Sequence, residues 1–120
     1  MSTDKQDDKQ VLEKLNTKIG KAESKGDLKW LTNIIAPEFA FRRANGKIDG
    51  GVGFLKAVKA SDPRKTHIES IDLYGKRAIV KCIVTMGDKK YHNLRLFVWV
   101  DGQDGQEGQW KLLGWANELL

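Results

Sequence analysis

Four segments decide the fold: THIESIDLY (Thr66–Tyr74), RAIVKCIVTM (Arg77–Met86), KYHNLRLFVWV (Lys90–Val100) and WKLLGWANEL (Trp110–Leu119). Each is rich in β-branched and aromatic residues and reads as a strand. Gly75-Lys76 and Gly87-Asp88-Lys89 leave only tight turns between the first three, so these strands are antiparallel neighbours. The polar stretch Asp101 to Gln109, DGQDGQEGQ, reads as an extended hairpin loop rather than a low-complexity tail.

Upstream of this run the period changes from strand to helix. Val11, Leu12, Leu15, Ile19 and Ala22 recur at helical spacing among charged residues between Asp4 and Ser24, and Gly26 supplies a C-terminal stop. Asp27 can cap a second helix through Leu28, Trp30, Leu31, Ile34 and Ile35, which Pro37 ends. Phe39-Ala40-Phe41-Arg42-Arg43 then alternates as a strand, and Asn45-Gly46 favours a tight turn into a short strand at Ile48. Asp49-Gly50-Gly51 opens a third helix through Val52, Phe54, Leu55 and Val58, closed by Ser61-Asp62-Pro63. Helices first and strands afterwards predict an α+β domain, with N-terminal helices packed on a curved antiparallel β-sheet. The expected layout is a flexible polar N-terminus over residues 1–9 and one α+β domain over residues 10–120.

Composition bounds the function classes. A chain of 120 residues with 40% hydrophobic and 31% charged residues is long enough to bury its own core without disulfides, as its single cysteine, Cys82, agrees, and the polar stretch Met1 to Gln10 has no apolar signal core, so a cytoplasmic protein is expected. The longest apolar run, Leu96 to Val100, is far too short to span a bilayer, so no membrane partner is expected. The formal charge of +5 invites a nucleic-acid reading. Yet the lysines of the first helix alternate with Asp7, Asp8, Glu13 and Glu23, as on a solvated face, and Arg42-Arg43, Arg64-Lys65 and Lys89-Lys90 are isolated pairs without interleaved aromatics. Nucleic acid is therefore not an expected partner.

The order of elements resembles the nuclear transport factor 2-like (cystatin-like cone) superfamily, and within it the SnoaL-like branch of uncharacterised small proteins. The resemblance rests on Gly26-Asp27-Leu28 with Trp30-Leu31, on Ala36-Pro37-Glu38-Phe39, on Asn45-Gly46-Lys47 before Phe54-Leu55, and on Val98-Trp99-Val100 with Gly108 to Leu113 and Trp115. It extends from about Gln10 onward and implies a cone-shaped pocket and a homodimer formed through the outer sheet face. It implies no single activity, because isomerases, dehydratases, cyclases and association domains share this fold. An isomerase of the kind resembling ketosteroid isomerase needs a carboxylate base on the first strand after the helical hairpin. Here that strand reads Phe41-Arg42-Arg43, and an arginine does not take up a substrate proton at neutral pH.

The candidate ligand-binding set is Trp30, Phe41, Arg43, Phe54, Arg95, Phe97, Trp99, Trp115 and Asn117. Strand alternation puts Tyr91, Asn93, Arg95, Phe97 and Trp99 on one face, which reads equally as the wall of a pocket or as an interface. On the last strand it groups Lys111, Leu113, Trp115, Asn117 and Leu119. Arg43 could clamp a carboxylate or phosphate, or serve only as an ion-pair partner at a rim. Acid/base candidates for an enzyme are His67, Glu69, Asp72, Tyr74 and His92, with His67 and Glu69 on one strand face. The two histidines lack metal-ligand spacing and no glycine cluster fits a phosphate loop, so neither a metal nor a cofactor is expected. Cys82 alternates with Val80 and Val84 and reads as a small buried hydrophobe rather than a nucleophile. The favoured expectation is a small, partly apolar ligand held in the cone of a homodimer; the alternatives are a SnoaL-like cyclase, isomerase or dehydratase and a pure association module.

Overall fold

The first helix takes in polar residues expected to be flexible. The computed structural model describes residues 5–120, in which α1 runs Lys5–Lys25, so residues 5–9 of the polar N-terminal segment are helical. Leu12, Ile19 and Ala22 are buried against the sheet, while Val11 on the flank of the stripe is half exposed. Gly26 adopts φ +71 and turns the chain there. The Asp27 N–H donates to the Ala22 carbonyl, and the Asp27 side chain accepts from the Trp30 N–H at 3.2 Å, capping α2 (Leu28–Ile34).

Pro37 is not the helix terminator that its position suggests. Backbone at Ile35 is already extended, and Pro37 lies inside β1 (Ile35–Arg42). A proline lacks the N–H that a regular ladder requires, and the β1 pairing breaks register between Ile35 and Ala40, the segment that contains it. Asn45-Gly46 makes the expected turn, with Gly46 at φ +90, into β2 (Ile48–Gly50), which leads directly into α3 (Gly51–Ala57).

The remaining strands are β3 (Arg64–Tyr74), β4 (Arg77–Met86), β5 (Lys89–Val100) and β6 (Gln109–Leu119), in the sheet order β2-β1-β6-β5-β4-β3. The expected all-antiparallel sheet is corrected at one place: β1 lies parallel to β6, pairing Phe41 with Trp115. The helical layer separates these strands in sequence, and a crossover through α3 and the whole β3–β6 meander returns β6 alongside β1. The fold is an α+β cone with three helices on an open six-stranded mixed sheet. No described helix is long and apolar enough to cross a membrane.

Two bulges reverse the simple alternation. The β5–β6 register shifts between Leu96 and Phe97, so that Leu96 faces Gly114 and Phe97 faces Leu112. The extra residue, Leu113, turns Trp110 and Leu112 inward on one side of the bulge and Trp115 inward on the other, where strict alternation separated them. In β3 the shift falls between Ile68 and Ser70, leaving Glu69 unpaired in the ladder.

Candidate functional site

One face of β5 carries Asn93, Arg95 and Phe97, all essentially inaccessible, and it faces the helices. The pleat places Trp115 opposite Arg95 and Asn117 opposite Asn93. The Arg95 guanidinium is fully buried. Its Nη1 donates to Asn16 Oδ1 at 3.1 Å, its Nη2 donates to Asn93 Oδ1 at 2.9 Å, and its carbon lies 4.2 Å from the Trp115 ring centroid. Asn93 Oδ1 also accepts from the Trp115 indole N–H at 2.8 Å, and Asn93 Nδ2 donates to Asn117 Oδ1 at 2.9 Å. Asn16 in turn donates to the Leu12 carbonyl at 2.7 Å, which fixes the acceptor that holds the arginine. Among the described residues Arg95 Nε has no partner, and no described carboxylate forms an ion pair with this side chain. Burial pulls its pKa below the ordinary arginine value.

Above this network the strand ends open into a cleft of about 310 Å³ at the mouth of the cone, lined among others by Glu23, Arg43, Arg64, Tyr91, Asn93 and Asn117. A smaller lobe of about 190 Å³ runs from the same residues Glu23, Arg43 and Arg64 toward Phe54 and α3. Phe41 lines both, Phe54 the lobe and Trp115 the larger cleft, and the three ring centroids lie 4.7 to 5.9 Å apart. Arg43 is held by an ion pair with Asp49, whose carboxyl it pulls below the ordinary range, and its guanidinium lies 4.9 Å from the Phe41 ring. Gly53 permits this: a Cβ there would stand 2.9 Å from Asp49 Oδ1. Burial pushes the Glu23 carboxyl above its usual value despite the opposing charges of Arg64, Arg95 and Arg43. Arg64 Nε is 3.8 Å from Glu23, and its Nη1 donates to Ser24 and Ser61.

The nine candidate residues separate. Phe41, Arg43, Trp115 and Asn117 line the cone mouth, Phe54 lines its smaller lobe, and Arg95 lies behind it. Phe97 is core. Trp30 and Trp99 line a different groove at the other end of the sheet. Glu23 and Arg64 were missed because each reads locally as one more charge on a solvated surface; only the meeting of α1 with β3 brings them together. The acid/base candidates of the sequence lie elsewhere. None of His67, Glu69, Asp72, Tyr74 and His92 lines the cone mouth: His67, Asp72, Tyr74 and His92 have outward parity on β3 and β5, and Glu69 sits at the bulge beside Lys9, Glu13 and Thr17 of α1. Glu69, at the bulge, partners His92 at 2.8 Å rather than His67. Cys82 is fully buried, and burial raises its thiol pKa. Among the described residues no group of three His, Cys, Asp or Glu side chains could hold a metal ion.

A cone of three helices over an open mixed sheet, with a polar mouth above a buried arginine, defines the class of small pocket-bearing α+β proteins to which the chain compares. No family model matches the sequence, and no curated protein matches it. Solved structures do. A nuclear transport factor 2-like (NTF2-like) protein from Cytophaga hutchinsonii superposes with a TM-score of 0.82 at 14% identity, and one of unknown function from Silicibacter pomeroyi with 0.80 at 15%, each alignment covering 100% of both chains. One of unknown function from Shewanella baltica gives 0.74 at 16%, covering 100% of this chain and 98% of that one. The chain has the NTF2-like fold.

Proposed function

We propose that the protein binds a small, partly apolar ligand bearing an anionic group in the cone mouth, as a homodimer in the cytoplasm, in the manner of a SnoaL-like binding protein. The observation that carries this reading is the arginine arrangement. Arg43 and Arg64 line the cleft, and Arg95 is buried behind it without a carboxylate ion pair among the described residues. A buried, uncompensated cation costs stability, and an anion in the adjacent cleft would offset that cost. Phe41 and Trp115 supply the apolar wall and the Asn93 and Asn117 amides the orienting polar groups. The volume lies at the low end of the roughly 300 to 1,000 Å³ usual for small-molecule sites, which favours a compact ligand.

The test is a titration with phenylacetate followed by the Trp115 indole and the Asn93 and Asn117 amide resonances. Saturable shifts in the parent protein, lost in Arg64→Gln and Arg43→Gln while the fold persists, would support the site. Equal affinity in both variants would refute it. For the homodimer, support comes from the outer sheet face, where Ile79 pairs with Leu96 and both are about 40% exposed beside Leu94. Light scattering should report twice the 13.5 kDa chain mass, and Leu96→Glu should reduce it to the monomer.

A further inference from the structure

We infer that the groove at the opposite end of the sheet from the cone mouth is a second binding site, built for a small alkylammonium cation. The two sites lie at opposite ends of the same strands. Trp110 and Trp115 are five residues apart on β6, roughly 17 Å along the strand, and only Trp115 lines the cone mouth. The groove has a volume of about 600 Å³ and is walled by Trp30 of α2, Trp99 of β5 and Trp110 of β6, with Val11 and Leu15 of α1 as its floor.

Three features specify the ligand. First, the charge is inverted relative to the rest of the chain. In a protein of formal charge +5, the described lining includes the carboxylates Asp8 and Glu107 and no Lys, Arg or His. Second, the walls are indole rings, whose faces attract cations within about 6 Å. Trp30 already receives one, because Lys18 Nζ lies 5.0 Å from its centroid, and Lys18 itself does not line the groove. Third, the Trp110 indole N–H is buried with no acceptor among the described residues, an unmet donor on a groove-lining ring that a ligand hydroxyl oxygen would satisfy once it displaces the side chains covering it. An ammonium compound with a short hydroxyalkyl arm, of the choline type, meets all three.

The walls are also held in place before any ligand arrives. The Trp99 indole N–H donates to Asp101 at 2.9 Å, and Trp99 stands edge-on to Trp110 with centroids 5.6 Å apart. Gln109 Nε2 donates to the Asn33 carbonyl at 3.2 Å, tying the start of β6 to α2. Gly108 lies so close to Trp99 that an added Cβ would stand 2.6 Å from its ring. Fixed aromatic walls lower the ordering cost of binding.

The experiment is a titration of the full chain with choline chloride at constant ionic strength, read from the four tryptophan indole resonances. The expected result is a saturable shift of Trp30, Trp99 and Trp110 with Trp115 unmoved, and affinity roughly tenfold weaker both for Glu107→Gln and for dimethylbutanol, the neutral carbon isostere of choline. Absence of saturable shifts overturns the proposal. Equal binding of the neutral isostere overturns the cation specificity, and a shift dominated by Trp115 assigns the ligand to the cone mouth instead.

Discussion

The Arg95 guanidinium lies 4.2 Å from the centre of the Trp115 indole, and both side chains donate to a single oxygen, Asn93 Oδ1. One amide thus fixes a buried cation and the ring beneath it, and the same amide presents its nitrogen to Asn117 at the cone mouth. The site and the core share this oxygen, so changes to the network should be read in both stability and binding.

Replacing Arg95 by Ala should destabilise the fold by about 3 kcal/mol, combining a cavity with one acceptor, Asn16 Oδ1, stripped of its donor and another, Asn93 Oδ1, left with the Trp115 indole alone. Arg95→Met should cost clearly less, because it fills the volume and removes a charge that has no carboxylate partner. Urea denaturation of the two variants decides the matter; equal losses would mean that the charge itself stabilises the fold.

Glu23 gives a pH signature. Its pKa is raised in the folded state, so the native protein binds this proton more tightly than the unfolded chain does. The burial cost is therefore absent below the ordinary value of 4.5 and appears as pH rises through the folded value. Glu23→Gln should unfold at higher urea than the parent at pH 7 and at nearly the same urea at pH 4. A neutral-pH loss of stability would show that the Arg64 contact outweighs burial.

Asp49 has the opposite sign. Arg43 lowers its pKa, chiefly through their hydrogen bond, so its contribution to stability is present above the ordinary 3.8 and is lost as pH falls through the folded value. Gly53→Ala places a methyl group against this carboxylate. Its titration midpoint, followed by the Asp49 carboxyl resonance, should move upward toward the ordinary value; an unchanged midpoint would mean that α3 shifts instead.

Gly108→Ala should cost about 1 to 3 kcal/mol, because the new methyl meets both the Trp99 ring and the Val100 carbonyl at 2.6 Å. Near-ultraviolet circular dichroism should show the change as a weakened Trp99–Trp110 signal. A full parent spectrum with unchanged stability would indicate that the loop relaxes freely.

The grouping of Asn93, Arg95 and Phe97 on one face of β5, the Asn45-Gly46 turn and the Asp27 cap were all legible in the sequence, because each rests on local spacing or local backbone preference; that this face turns toward the helices was not. The pairing of Glu69 with His92 rather than His67 was not legible either, and neither was the inward grouping of Trp110, Leu112 and Trp115. Single-residue bulges at Glu69 and Leu113 break the period without any residue type that announces them.

By itself, the sequence determined most of the elements, their order and the α+β class, since periodicity, caps and turn residues act over a few residues. Tertiary structure alone decided the parallel β1–β6 pairing, the meeting of Glu23 with Arg64 across 41 residues of chain, and the division of the aromatic residues between two grooves of opposite charge. Those outcomes depend on which distant strand ends come together when the sheet curls over its helices, and on which charges lose water there. Neither quantity is a property of any short stretch of chain.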